Sequence, residues 1–327
     1  MSDISELPRK DEELQQSGYY LKNGMLYSRD PNQIFTKLSK IRAEGGTLDI
    51  SFQGDLIEEL DKCINNPDTE AGLKGIKNVI SFGLAELYDS IKSDNFKEGV
   101  EKNDNFKNGV KKIENIVDNL LAKYTKDFFL LFTPEHDAST IIHSINVMAL
   151  ALYTHQHVEK KFPNDDFLKI ATVEEFALAG LLHDMGKIYI EDIIKKTEKL
   201  TEEDWQRIKQ HPRDGYEILK KAGITSNRIL NAALFHHVRL NGTGYPQLEK
   251  GDKIEPLTIL ISIVDSLEAM ISKSRKHNVN RDQMTMREAA DKLKAENAQQ
   301  GLFKIDFLKI VADSLRAHDQ EEDQITN

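Results

Sequence analysis

The sequence contains one cysteine in 327 residues, Cys63. It cannot form an intrachain disulfide or a cysteine-based zinc cluster, which fits a reducing cytosol and leaves histidine and carboxylate as the available metal ligands. Cys63 itself reads as an inert residue. No run approaches the roughly 18 uncharged apolar residues that a membrane span needs, and Met1 to Lys10 lack the basic start and apolar stretch of a secretory leader. The expected location is the cytoplasm, with no membrane insertion. Positive charge is also short: 44 Lys and Arg stand against 54 Asp and Glu, for a formal net charge of −10. That balance opposes a broad phosphate-tracking surface and so argues against DNA as a partner, but it permits a small, metal-filled pocket.

With 39% hydrophobic residues, the composition supports a packed core, and the length suggests two domains of roughly 100–200 residues each. The first part has a mixed pattern. Tyr19 to Tyr27 suggests a short strand pair around Asn23-Gly24, and Thr47 to Phe52 alternates as a strand does after Gly45-Gly46. Residues 93–102 (SDNFKEGVEK) resemble residues 103–112 (NDNFKNGVKK), which reads as a local duplication, since two copies are too few for a repeat architecture. From Val110, the residues Ile113, Ile116, Val117, Leu120, Leu121 and Tyr124 recur at three and four positions, which predicts an amphipathic helix. Its stripe faces either the chain's own core or a second copy, the latter making a homodimer through the 110–124 helix. From about Pro134 onward the pattern is helix after helix. Thr201 with Asp204 marks a helix start, and the helix so begun is expected to end near His211-Pro212. The expected fold class is mainly α: an all-α C-terminal helical domain (134–327), a connecting helix (110–133) and a smaller α+β or mixed N-terminal domain (1–109) for regulation or interaction.

All ten histidines fall in that helical half, and five of them stand out with acidic residues as one set: His143, the pair His183-Asp184, His211, the pair His236-His237, and then Asp265. A neutral imidazole in an apolar helix or at a helix end needs partners for both ring nitrogens, and a divalent ion can supply one. Taken singly, each would pass as an ordinary structural histidine; as a set, they point to a shared metal site. A carboxylate such as Asp184 can bridge two ions through its two oxygens, the arrangement that two-metal hydrolysis uses.

The segment Leu181-Leu182-His183-Asp184-Met185-Gly186-Lys187-Ile188 resembles the signature of HD phosphohydrolases. His236-His237-Val238-Arg239 with Asn241-Gly242-Thr243-Gly244-Tyr245-Pro246 resembles the second signature, which defines the HD-GYP subfamily. The likeness extends over roughly residues 134–315. It implies a cyclic di-GMP phosphodiesterase that yields linear pGpG, with further cleavage to GMP as an option, through a hydroxide activated by two metals. The family pattern assigns His143, His183, Asp184 and Asp265 to one ion, and Asp184, His211, His236 and His237 to a second. Family members mostly use iron or manganese, in keeping with ligands that include no sulfur. A glutamate that serves a third ion in some members is replaced here by Ser139, so two ions are expected. Asp184 and Lys187 are the catalytic residues implied, Lys187 through the scissile phosphate. Substrate contacts fall to Lys187, Arg239, Gly244, Tyr245 and Arg275, with Arg239 either orienting the loop or reaching substrate. A signalling partner would dock at the Gly-Tyr-Pro loop.

The sequence departs from the family at three places. Val238 and Asn241 stand where Glu and Asp are usual, and the expected arginine is Ser274, with Arg275 beside it. A displaced guanidinium bears on phosphate or guanine recognition, because bidentate contacts tolerate little misplacement. Another cyclic dinucleotide, or a sensor with little turnover, are therefore the alternatives; the full set of seven ligand positions favours an enzyme. Removing residues 1–109 is expected to leave metal bound to the remaining chain by elemental analysis. A folded, metal-free fragment would overturn the assignment of the whole site to the C-terminal part.

Overall fold

The structure is a computed structural model that describes residues 19–22, 25–28, 50–52, 56–65, 69–93, 105–132, 140–194, 196, 198–249, 253–272 and 284–325. The chain divides into two compact units: Met1–Asp89 with Lys111–Tyr124, and Ser90–Val110 with Thr125–Asn327.

The first unit opens with a three-stranded sheet. β1 (Tyr19–Lys22) pairs antiparallel with β2 (Met25–Ser28), Tyr19 opposite Ser28, and β3 (Ile50–Phe52) adds parallel to β2, Ile50 opposite Leu26. Aromatic and branched residues supply the β preference. The expected turn at Asn23-Gly24 lies outside the described residues. Three helices follow: α1 (Leu56–Ile64), α2 (Glu70–Ser93) and α3 (Asn105–Lys123). α3 carries the apolar stripe expected from Val110 on, and Ile113, Ile116, Val117 and Leu120 are fully buried within the chain. The close approach of α2 depends on Gly83, where a Cβ would come within 2.7 Å of the Ile116 side chain. Lys112–Glu86 (2.5 Å) and Lys123–Asp61 (2.6 Å) ion pairs flank this contact, each half-exposed and worth about 0–1 kcal/mol. Of the tenfold-spaced repeat, residues 94–104 lie outside the described residues and the rest of the second copy opens α3.

The second unit is helical throughout its described residues. α4 (Thr140–Lys161) is buried along most of its length, and α5 (Val173–Leu182) lies against it. Their approach requires Gly180, because a Cβ there would sit 2.6 Å from the Met148 Cα and 2.7 Å from its backbone nitrogen. α5 begins at a reciprocal cap between Thr172 and Glu175. A 3-10 turn (Met185–Ile190) and the short α6 (Glu191–Ile194) lead to α7 (Glu202–Lys221) and α8 (Asn227–Phe235). After the Asn241–Pro246 loop come α9 (Pro256–Ile271), α10 (Met286–Gln300) and α11 (Ile305–Ile325). Gly301, at φ 64°, ends α10 in the left-handed conformation that glycine adopts without strain. α11 is tied to α4 by the Tyr153 hydroxyl, which donates to the Ser314 carbonyl at 3.1 Å.

The expected helix end at His211-Pro212 is corrected by the structure: α7 runs through Pro212 to Lys221. Proline has no N–H to give the carbonyl four residues back, that of Ile208. The His211 ring occupies that carbonyl instead, with Nδ1 at 2.6 Å, so the helix continues without an orphaned acceptor.

α7 starts where expected. The Asp204 N–H donates to the Thr201 hydroxyl (3.2 Å) and the Thr201 N–H donates to the Asp204 carboxylate (2.9 Å), whose other oxygen receives the Lys196 ammonium at 2.5 Å. The Lys196 bond and then the Thr201 N–H hold the Asp204 carboxyl down from 3.8 to about 2. A depressed carboxylate stabilises the fold above its unfolded pKa, and that stabilisation is lost as pH falls through the folded value. Thermal melts of wild type and Asp204→Asn should therefore differ above pH 4 and converge as pH falls from 4 to 2. A pH-independent difference would show that the charge contributes nothing.

Candidate metal centre

The site is assembled from the ends and interiors of five helices. His143 projects from the first turn of α4, His183 and Asp184 follow α5, His211 lies mid-way along α7, His236 and His237 follow α8, and Asp265 lies within α9. Local physics explains the ring orientations. The last turn of a helix leaves carbonyls without N–H partners. The Nδ1–H of His183 donates to the Gly180 carbonyl at 2.9 Å, and that of His236 lies 3.0 and 3.1 Å from the Ala232 and Ala233 carbonyls. His211 uses the carbonyl that Pro212 frees. His143 differs: its Nδ1 meets a carboxylate oxygen of Glu268 at 2.6 Å. Committing Nδ1–H in this way turns Nε2 toward the cluster on each ring. At His143, burial is outweighed by Glu268 with Asp184 and Asp265, which hold that ring well above the ordinary imidazole value, so a proton occupies its Nε2 until a cation replaces it.

All four Nε2 atoms converge on Asp184. His143 lies 3.2 Å and His183 3.3 Å from its Oδ2, while His211 lies 3.1 Å and His236 3.5 Å from its Oδ1. His143 Nε2 is 3.2 Å from His183 Nε2 and also 3.2 Å from Asp265 Oδ1, and His211 Nε2 is 3.3 Å from His236 Nε2. His237 completes the second cluster, with Nδ1 3.9 Å from Asp265 Oδ2. Two groups of donors with ligand-like spacing result: His143, His183 and Asp265, and Asp184, His211, His236 and His237. Asp184 faces both, one oxygen to each.

Lone pairs of neutral imidazoles and carboxylates repel at such distances unless a proton or a cation lies between them. Asp184 Oδ1 is fully buried and accepts no hydrogen bond. Burial pushes His236 down to about 4, and burial together with the neighbouring His236 ring pushes His237 well down, so both are neutral at pH 7. Burial alone would raise the two carboxyls. The Lys187 ammonium and the His183 ring outweigh it at Asp184, and the hydrogen bond from His143 outweighs it at Asp265, so both stay well below the usual carboxylate range. Neutral imidazoles and ionised carboxylates are the forms that bind divalent ions. The donor set and the unpartnered Asp184 oxygen therefore fit a bound metal, and the absence of sulfur suits a hard to intermediate ion.

Lys187 follows in the 3-10 turn, and its ammonium contacts Asp184 Oδ2. The turn packs tightly because residue 186 has no side chain: a Cβ there would collide with the His211 carbonyl and come within 2.6 Å of the Gly215 nitrogen. Arg239 turns inward. Its guanidinium donates to the His236 carbonyl (2.9 Å), the Val238 carbonyl (3.2 Å), Ser262 Oγ (2.6 Å) and Ser266 Oγ (3.2 Å), and stacks 4.8 Å from the Phe303 ring centroid. Of the two roles expected for Arg239, orienting the loop is the one this geometry supports. Tyr245 places its ring 4.7 Å from that of His237, and its N–H donates to the His237 carbonyl at 3.3 Å. Arg275 and Ser274 lie outside the described residues.

Sequence reasoning missed Glu268. It is 4% exposed, takes Asn146 Nδ2 on its second oxygen at 3.0 Å, and sits one helical turn after Asp265. An acid three residues from a candidate ligand, in the otherwise apolar α9, was the available signal. Ser262 was also missed; its hydroxyl donates to the His236 carbonyl.

Residues 140–270, the part of the helical unit that holds the histidine and aspartate cluster, match the family model described as HD domain. Among curated proteins, the chain is 33% identical over 137 residues to a protein named a cyclic di-GMP phosphodiesterase from Pseudomonas aeruginosa, covering 42% of this chain and 31% of that one. It is 33% identical over 131 residues to one named a 3′3′-cGAMP-specific phosphodiesterase from Vibrio cholerae, covering 38% and 28%. The chain spans less than half the length of the curated relatives it matches. A solved HDG"Y"P protein from Bdellovibrio bacteriovorus shares the fold at TM-score 0.51 and 17% identity, over 79% of this chain and 77% of that one. Among the described residues, no helix is long and apolar enough to cross a membrane.

The loop geometry yields a test. Gly244 has φ 87°, and a Cβ there would collide with the His237 carbonyl oxygen. Gly244→Ala is expected to destabilise the fold by about 1–3 kcal/mol in chemical denaturation, and to lower metal content by shifting His237. Wild-type stability and metal content together would show that the loop does not constrain the site.

Proposed function

We propose that this HD domain is a metal-dependent phosphodiesterase that hydrolyses cyclic di-GMP to linear pGpG and on to GMP, with two divalent ions, iron or manganese, per chain. The observation that carries the reading is the pair of donor groups sharing Asp184, one carboxylate oxygen directed to each. Two bound ions lower the pKa of water and neutralise the charge that develops on a phosphate under attack. The protein's part is to hold the donors in place, exclude bulk water around Asp184 and supply further positive charge.

His143, His183, Asp184 and Asp265 are the proposed ligands of one ion, and Asp184, His211, His236 and His237 those of the other. Lys187 is proposed to leave Asp184 when metal enters and to bind a non-bridging oxygen of the scissile phosphate, which stabilises the added negative charge. Its side chain is 15% exposed, so it borders the buried cluster and solvent at once. Tyr245, held against His237 by the glycine turns, is proposed as the wall against which the substrate's sugar or base rests. Arg275 is the proposed guanine or phosphate contact, and Arg239 supports the loop from behind.

A second substrate, 3′3′-cGAMP, is favoured by the Vibrio cholerae relative named for it. The two dinucleotides differ in one base and share the phosphodiester that the metal cluster would address, so the ligands above serve both readings. Purification under low oxygen, metal analysis and chromatography of products from either dinucleotide test the proposal. Wild type should hold close to two ions and form linear product. Asp184→Ala should lose metal and all turnover, and Lys187→Met should keep metal but lose about 10²–10³-fold in kcat. Metal retention with no turnover of either dinucleotide would overturn the phosphodiesterase reading.

A further inference from the structure

α9 directs two carboxylates at one ring. Asp265 Oδ1 lies 3.2 Å from His143 Nε2, and Glu268 Oε2, one turn further along, lies 2.6 Å from His143 Nδ1. The other three converging rings rest on backbone carbonyls. Among these four rings, His143 alone has a charged partner behind it.

Glu268 is itself held. Oε1 accepts Asn146 Nδ2 at 3.0 Å and Ser272 Oγ at 2.5 Å, and the residue is 4% exposed. Asn146 is three residues beyond His143 on α4, and Ser272 caps the end of α9. A carboxylate buried near two others, Asp184 and Asp265, is costly unless matched by positive charge. Its three donors are arranged so that one oxygen is fixed and the other is left to the imidazole.

We propose that Glu268 is a positioning residue for the metal group formed by His143, His183 and Asp265. By accepting the His143 Nδ1–H it fixes that ring's tautomer and rotation, and makes Nε2 a stronger donor toward an ion, while Asn146 and Ser272 hold the carboxylate in register. Such outer partners of a ligating histidine typically contribute 10–100-fold to metal affinity. The proposal rests on the reading that the histidine and aspartate cluster binds divalent ions, and does not depend on which dinucleotide is cleaved.

The test uses full-length, metal-free wild type, Glu268→Gln and Ser272→Ala, titrated with Mn²⁺ while free Mn²⁺ is followed by electron paramagnetic resonance; thermal melting of the metal-free proteins is the control. Wild type should bind at two sites. Glu268→Gln preserves size and removes the charge, so it should keep one site at near wild-type affinity and weaken the other by about 10–100-fold, with an unchanged metal-free melting temperature. Ser272→Ala, which leaves the carboxylate in place but removes one of the two donors to Oε1, should weaken the same site by a smaller factor. Wild-type affinity at both sites in both variants would overturn the role of Glu268. Equal weakening at both sites with a lowered metal-free melting temperature would do so as well, by showing a structural role. Absence of Mn²⁺ binding by wild type would overturn the metal reading together with this one, whereas metal binding without dinucleotide cleavage would remove only the phosphodiesterase reading.

Discussion

The site depends on one recurrent interaction: an imidazole Nδ1–H bound behind the ring, so that Nε2 points forward. For His183 and His236 the acceptor is a carbonyl in the last turn of a helix, Gly180 for the first and Ala232 with Ala233 for the second, and for His211 it is the carbonyl that Pro212 cannot use. Helix termini are usually places where unsatisfied acceptors are handed to water or to caps. Here they fix two rings, and the carbonyl left by Pro212 inside α7 fixes a third, with no separate carboxylate needed for each. His143 takes the Glu268 carboxylate instead.

Four fixed Nε2 atoms then meet around one carboxylate that is wholly buried. Nothing among the surrounding hydrogen bonds satisfies Asp184 Oδ1, and the Lys187 ammonium is the nearby side-chain cation in contact with Oδ2. A cluster of this kind is strained by its own electrostatics and is relieved by positive charge, which is the physical basis for reading it as a metal centre. The apolar packing of α4, α5 and α9 around it keeps the donors from relaxing apart. Gly180 lets α5 approach the α4 backbone, and Gly186 lets the turn carrying Lys187 press against α7.

Two departures from the family signature, Asn241 and Val238, are absorbed locally. Asn241 accepts the Thr243 N–H at 3.0 Å and its hydroxyl at 2.6 Å through Oδ1, a turn that needs an acceptor oxygen and not a charge. Val238 is 7% exposed and lies among Phe235, Leu240, Ile259 and Phe303, a setting in which a carboxylate would have to be neutralised. The loop is therefore held by Arg239 and by the Leu240 N–H, which donates to the Leu302 carbonyl at 2.9 Å.

The sequence by itself determined the helical character of the second half, the amphipathic stripe of α3, the start of α7 and the membership of His143, His183, Asp184, His211, His236, His237 and Asp265 in one candidate set. These follow from periodicity, capping residues and two short signatures, all of which are local in the chain. It misjudged the end of α7, because the partner that makes Pro212 tolerable is a ring nitrogen whose direction no local pattern encodes. Only the tertiary structure decided the rest: which Asp184 oxygen faces which group, that Arg239 turns inward onto Ser262 and Phe303, and that Glu268 stands behind His143 from 125 residues away. Such contacts join helices distant in sequence, and their distances are set by how side chains and glycines pack, which spacing along the chain does not specify.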